Sequence, residues 1–545
     1  MLRYITLLFL LSLWSYFYPC PSLLSGPVVT TPSGRVEGTT QSHNGVSVGA
    51  FLGIPFARPP VGDLRFRRPR APASWEGTLS AREMRPGCVQ FTRNPFPWRD
   101  VPPGLDEDCL YLNVWVPATP LSVLSRKTVM FWVYGGAFVF GSSRVDFYDG
   151  RVLAVEGDVI VVTVNYRLGP FGFLYSGNED APGNMGLLDL VEALKWVRGN
   201  IASFGGDPDS ITLFGQSAGG IAIGMFCVSP LTRGMFRRVI LQSGSPANLD
   251  GEDNNLDFRM SQRLAEAVGC AEDENSLADD PERVVECLRN VDVFELSRTF
   301  SALGGNTSRL TYPRFGDELL PQNPRKAIAN GVFGAVDVLI GTNSGDGALI
   351  ITNSMTEVFG FFGEKDPQIN RTFGTSIIKK QFQEFVAPCS VVNQYLGGVN
   401  DDDFNAIRQQ VFMATGDYER TCPATYFAES FAKKGVRAYY YFFTHRPSPS
   451  PFAPWMLASH FDETPFVFGY PLRYRRNYTL RERTLSRRMI QAWTAFAKTG
   501  IPIGAIWPRY SRENPRYQIL DVNSLDTGMG PRQNNCDFFR PFFGF

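Results

Sequence analysis

The chain has 545 residues, of which 44% are hydrophobic and 13% aromatic, ample material for a large buried core. Lys+Arg and Asp+Glu both number 53, so the formal charge is zero, and nothing in that balance supports nucleic-acid binding or a strongly charged partner. No long charge run, heptad pattern or fixed repeat stands out, which argues against coiled coils and solenoids.

At the amino end, Met1-Leu2-Arg3-Tyr4 leads into an apolar run from Ile5 to Trp14 and then Pro19-Cys20-Pro21. One basic residue before a short apolar stretch reads as a secretory signal peptide, taken as about residues 1–25. The alternative is a membrane anchor, but the run falls short of the roughly 20 residues a bilayer span needs. The carboxyl end, Arg540–Phe545, is too brief for an anchor tail. The expectation is therefore a secreted, extracellular protein with no stable membrane anchor in this form, and one catalytic domain over 26–545, since no Pro/Ser-rich linker divides it. Disulfides persist in that environment, and nine cysteines are present. With no C-x-x-C pair and only His43, His445 and His460, no metal site is expected, and no cofactor motif is found. Asn306, Asn370 and Asn477 each begin an N-glycosylation triplet.

Six short β-branched runs read as buried parallel strands: 128–134, 159–165, 211–214, 239–242, 336–341 and 437–443. Between them, 185–204 has the clearest helical spacing, with Leu187, Leu188, Val191, Leu194, Val197 and Ile201 on one side and Gly205-Gly206 beyond its end. Alternating strands and helices predict an α/β fold with a doubly wound, mostly parallel sheet, whose ligands sit at the carboxyl ends of the strands.

Gly215-Gln216-Ser217-Ala218-Gly219 lies at such an end. Small residues around a serine allow a sharp strand-to-helix bend that projects the hydroxyl. A serine needs a base beside it and amide donors for the oxyanion. His43 falls in a polar segment that reads as a hairpin turn; His445 and His460 both follow Ser217, as the α/β-hydrolase order of nucleophile, acid and histidine requires. Position alone leaves both open.

The chain resembles the type-B carboxylesterases, the family that includes the cholinesterases, from about Gly26 to Cys536. Phe51–Ala57 with Pro59–Gly62, Glu107–Val114, and Phe214–Gly220 match three of that family's signatures in order. The resemblance implies the α/β-hydrolase fold, Ser217 as nucleophile, His460 as base, and an acid at Asp346, where most relatives carry glutamate. Asp462 or Glu463 is the alternative source of charge beside His460. It further implies an oxyanion hole from the amides of Gly136, Ala137 and Ala218, with Ala137 replacing a third glycine. Cys88 is expected to pair with Cys109, Cys270 with Cys287, and Cys422 with Cys536. Cys20 would leave with the signal, Cys227 is expected to be a small buried residue, and Cys389 is unassigned. Ion pairs Arg65–Glu107 and Arg167–Asp189 are implied as scaffold features.

The substrate expected is a small neutral or modestly polar carboxylic ester. Trp98 lies where related choline sites carry tryptophan, although it could equally cover apolar surface. Gln216 replaces a usual glutamate, Leu349 and Ile350 stand where cholinesterases have aromatics, and Thr307 and Arg309 align with the acyl pocket. A choline-ester hydrolase is the runner-up, and a catalytically silent adhesion protein of the same fold the third reading. Relatives often pair through helices near the carboxyl end, so a homodimer is compatible with the resemblance.

Overall fold

The computed structural model describes residues 26–545 except 101–103, 118–125, 250–255, 273–275, 304–310, 312, 384–386, 503–506 and 525. The signal segment, the Asn306 triplet, and Thr307 and Arg309 of the expected acyl pocket lie outside the described residues.

An eleven-stranded sheet forms the centre. Its strands in chain order are β1 (Thr39–His43), β2 (Val46–Pro55), β3 (Tyr111–Pro117), β4 (Lys127–Val133), β5 (Ile160–Val164), β6 (Gly206–Gln216), β7 (Arg238–Gln242), β8 (Asp337–Asn343), β9 (Ala438–Phe443), β10 (Arg516–Leu520) and β11 (Thr527–Met529). In space they run β11-β10-β9-β8-β7-β6-β4-β5-β3-β2-β1. From β5 through β10 every pairing is parallel, while β1, β2, β3 and β11 join antiparallel at the two edges. The predicted mostly parallel sheet is thus present, with a hairpin-built flank that hydrophobic runs do not reveal.

All six predicted strands occur, with ends shifted by a residue or two except in one case. β6 begins at Gly206, not Ile211, because Gly206 pairs with Lys127 before an irregularity ahead of Ile211. Pro208 lies in that gap and has no N–H to give a ladder. β5, parallel to β4 on one side and antiparallel to β3 on the other, is buried throughout, which explains its nearly unbroken apolar run.

The helices that matter for the site are α1 (Met185–Asn200), α2 (Ala218–Val228), α3 (Asp346–Ser354), α4 (Cys422–Lys433), α5 (Leu480–Thr499) and α6 (Gln533–Phe543). The predicted helix over 185–204 is α1 followed by a 3₁₀ turn at Ile201–Phe204, stopped by Gly205 at φ +81°. α2 is buried from Ala218 to Cys227, which is why its sequence carries no amphipathic stripe. α5 starts with a reciprocal cap: the Thr479 hydroxyl accepts from the Glu482 amide, and the Glu482 carboxylate accepts from the Thr479 amide. Among the described residues no helix is long and apolar enough to cross a membrane.

The three expected disulfides are formed. Cys422–Cys536 joins α4 to α6 across 114 residues of chain. Cys227 is buried, and desolvation drives its thiol well above the ordinary range; Cys389 is exposed. Asn370 and Asn477 are both exposed, and Asn370 also caps a helix by accepting from the Phe373 amide. Both scaffold ion pairs are present. Arg65 meets Glu107 through two contacts of 2.7 and 2.6 Å. Arg167 forks onto Asp189 at 2.8 and 2.7 Å, with both side chains out of water (3% and 0% exposed).

Candidate active site

β6 ends at Gln216, α2 begins at Ala218, and Ser217 between them has φ +55° and ψ −124°. An L-residue in that conformation is strained, by about 1–3 kcal/mol for such outliers, and needs surrounding structure to hold it. Two hydrogen bonds do so. The Ser217 amide donates to the Gln242 carbonyl at the end of β7 (2.7 Å), and the Ser217 carbonyl accepts from Ile221 in the first turn of α2 (2.9 Å). The bend leaves Ser217 8% exposed in an otherwise buried region.

The loop after β4 lies against this bend. A Cβ on Gly135 would fall 2.6 Å from the Gln216 side-chain oxygen and 2.9 Å from the Ser217 Cβ, so only glycine permits the approach. Gly136, Ala137 and Phe138 follow at φ +116°, +54° and +61°. Their carbonyls are tied back into the protein: Gly136 accepts from Val139 and Phe140, Ala137 from the Thr311 hydroxyl (2.8 Å), Phe138 from Gly169. Among the described residues, the amides of Gly136, Ala137 and Ala218 appear as donors in none of the hydrogen bonds formed outside the regular helices and strands. Carbonyls turned inward with donors left over is the arrangement an oxyanion requires.

Asp346 opens α3, where the helix N-terminus favours a negative charge. Its two oxygens are fully used. One accepts from His460 Nδ1 (2.7 Å), the other from the Ser243 hydroxyl and the Asn343 amide (2.9 Å each). The carboxylate is 1% exposed. The chain segment carrying His460 is drawn to β8 by the Gly345 amide, which donates to Ala458 O (2.8 Å), and by Asn343 Nδ2, which donates to Ser459 O (2.8 Å). A Cβ on Gly345 would sit 2.0 Å from the Met456 carbonyl. This close approach is what lets the shorter aspartate reach the imidazole.

Because Asp346 can only accept, His460 carries its proton on Nδ1, and Nε2 presents a lone pair. Gln216 Nε2 donates to that lone pair at 2.9 Å. Among the described hydrogen bonds there is none between the Ser217 hydroxyl and His460, so the glutamine amide holds the position the hydroxyl needs. Gln216 is 1% exposed, and its Oε1 is buried without a partner.

The other two acids next to His460 bond elsewhere. Glu463 is buried between Gln242 Nε2 (3.0 Å), Asn343 Nδ2 (2.6 Å) and the Thr464 hydroxyl. Burial pushes its carboxyl up, against the pull of Gln242 and Asn343. Asp462 accepts from the Ser459 amide (2.8 Å), and burial drives it well above the usual carboxylate range. The other histidines are bonded outside the site: His43 ends β1 and pairs with Glu156 (2.9 Å), and His445 donates to Glu482 (3.1 Å).

Trp98 is only 3% exposed and stacks on Phe461 with ring centroids 4.2 Å apart. Leu349 lies buried on α3, one turn beyond Asp346. Two residues of the site escaped the sequence reading. Ser243 had a signal, since Ser243-Gly244-Ser245 follows β7 at the same end of the sheet as Ser217. Phe461 had none beyond adjacency to His460.

The profile of the carboxylesterase family matches residues 25–539. The chain is 40% identical over 532 residues to a protein of Trittame loki named acetylcholinesterase-1, with 95% of each chain covered. It is 35% identical to an acetylcholinesterase of Bungarus fasciatus, covering 96% of this chain and 88% of that protein. To a cholinesterase of Mus musculus it is also 35% identical, over 95% of this chain and 87% of the other. With its eleven-stranded sheet, the serine elbow and this likeness over nearly its whole length, the chain belongs to the carboxylesterase family of α/β-hydrolases and is a serine hydrolase of carboxylic esters.

Proposed function

We propose that Ser217, His460 and Asp346 carry out hydrolysis of an uncharged or modestly polar ester through an acyl-enzyme. The observation that carries this reading is the 2.7 Å bond between His460 Nδ1 and Asp346, which leaves Nε2 as the base at the serine elbow. When an ester carbonyl enters beside Gly136 and Ala137, the Gln216 amide swings off Nε2 and the Ser217 hydroxyl takes its place. His460 then accepts the hydroxyl proton as Oγ bonds to the carbonyl carbon, and the amides of Gly136, Ala137 and Ala218 receive the oxyanion. The alcohol leaves with the proton from His460 Nε2. Water enters, gives a proton to the same nitrogen as its oxygen bonds to the acyl carbon, and the Oγ–acyl bond breaks as Nε2 returns that proton to Ser217 Oγ, releasing the carboxylic acid. Asp346 stays ionised and steadies the imidazolium.

The names of the relatives favour a choline ester. Against it stand Gln216, an amide where a carboxylate would attract a cation, and the covered ring of Trp98. The three disulfides accord with an extracellular setting. The test is incubation with an organophosphate followed by peptide mass analysis, alongside turnover of p-nitrophenyl acetate. An adduct on Ser217 is expected, and Ser217→Ala should lose both adduct and turnover while keeping its melting transition. No adduct and no turnover in the native chain would favour a binding protein and overturn the reading.

A further inference from the structure

We infer that Phe461 sets the headgroup specificity of this site, by covering the tryptophan face that a cationic alcohol would need. The inference rests on the active site proposed above and narrows its substrate to esters of uncharged alcohols.

Phe461 follows His460 directly and has φ +89°, a conformation open to glycine and unfavourable for a bulky side chain. Something must hold it there, and the ring contacts do. Its face lies on Trp98 with centroids 4.2 Å apart and planes at 22°, while Phe147 (5.5 Å, 73°) and Tyr148 (6.1 Å, 75°) meet it edge-on. Trp98 has Phe96 against it as well, tilted at 5.5 Å, and Phe96 is stacked on Phe140 at 4.4 Å. The outcome is that Trp98 and Phe461 are 3% and 4% exposed.

A quaternary ammonium binds an aromatic face within about 6 Å of the centroid, and needs that face bare. Here the space over Trp98 is filled by another ring at stacking distance. Among the described residues, the carboxylates beside His460 are already engaged, and Asp100, two residues from Trp98, pairs with Arg144 at 3.3 Å. Asp346 is bonded to His460, Ser243 and Asn343, Glu463 to Gln242, Asn343 and Thr464, and Asp462 to the Ser459 amide. The residue before the nucleophile is a neutral amide. Shape and charge therefore agree: this wall is apolar and closed.

The experiment compares kcat/KM for acetylcholine with that for its uncharged carbon isostere, 3,3-dimethylbutyl acetate. The native enzyme is expected to favour the cation by less than about threefold. Phe461→Gly, which suits the backbone at φ +89°, should uncover Trp98 and raise the ratio about tenfold or more, the scale of a desolvated cation–π contact. Adding Trp98→Ala to that variant should return the ratio to the native level. A native preference for the cation above tenfold overturns the inference, whether or not the glycine variant folds. So does an unchanged ratio in a Phe461→Gly protein that still forms the Ser217 adduct. Failure of the native enzyme to form that adduct would instead strike the active-site assignment itself.

Discussion

Asp346→Asn is the sharpest perturbation of the proposed site, because it changes hydrogen-bond polarity and almost no volume. The native carboxylate receives three donors: His460 Nδ1, the Ser243 hydroxyl and the Asn343 backbone amide. An asparagine has one accepting oxygen and one donating nitrogen. The backbone amide cannot reverse its role, so the asparagine oxygen turns toward Asn343 and Ser243, leaving the NH₂ group against Nδ1. To avoid two opposed donors the imidazole must move its proton to Nε2, and a protonated Nε2 cannot accept from Ser217. Loss of the correct tautomer in a serine triad costs about 10⁴ in kcat, or about 5.5 kcal/mol of transition-state stabilisation. The assay is steady-state hydrolysis of p-nitrophenyl acetate at neutral pH, with thermal unfolding followed in parallel. Activity within tenfold of native, in a variant that melts normally, would refute the reasoning and shift attention to Asp462 or Glu463, the two acids that follow His460 in the chain.

Two further predictions concern the scaffold. Asp189→Asn removes one charge of an ion pair that is 3% and 0% exposed, leaving the Arg167 guanidinium buried without its partner; a stability loss of about 3–5 kcal/mol is expected in urea titration, and a loss under about 1 kcal/mol would contradict it. Glu482 combines burial, which raises its pKa, with donors that outweigh it: His445, the Ser448 and Thr479 amides, and the Ser448 hydroxyl. The net effect holds it down to about 2. A carboxylate depressed on folding stabilises fully above its ordinary value of 4.5 and loses that contribution as pH falls toward about 2. Glu482→Gln should therefore melt below the native protein at pH 7, with the gap closing between pH 4.5 and 2; a constant gap across that window would sink the assignment.

Much of this architecture could be read from the chain, for reasons specific to each part. Buried parallel strands are continuous apolar runs, and the strand ends at Gln216 and Asn343 are followed directly by small residues that mark turns, with the end at Val133 followed by Gly135-Gly136 after one tyrosine. Ser217 was legible because its turn demands those small residues. The base was not: spacing left His445 and His460 equal, and only the likeness to a family separated them. His445 proves to serve the cap of α5 through Glu482, a contact spanning 37 residues that no local pattern encodes. Gln216 was legible as a departure in charge, but its hold on His460 Nε2 depends on a rotamer. Phe461 was least visible, since neither its φ nor its stacking on Trp98 follows from its neighbours in sequence.

The groups of the proposed site stand along four adjacent strands of one sheet: Ser217 after β6, Ser243 after β7, Asp346 after β8, and His460 bound back to β8 beyond β9. Neighbouring strands lie about 4.8 Å apart, so the four strands that carry these groups span roughly 14 Å across the sheet. Turnover is thus a gauge of the intact sheet, and the catalyst should fade in step with cooperative melting of the whole protein, with no earlier stage in which chemistry alone is lost.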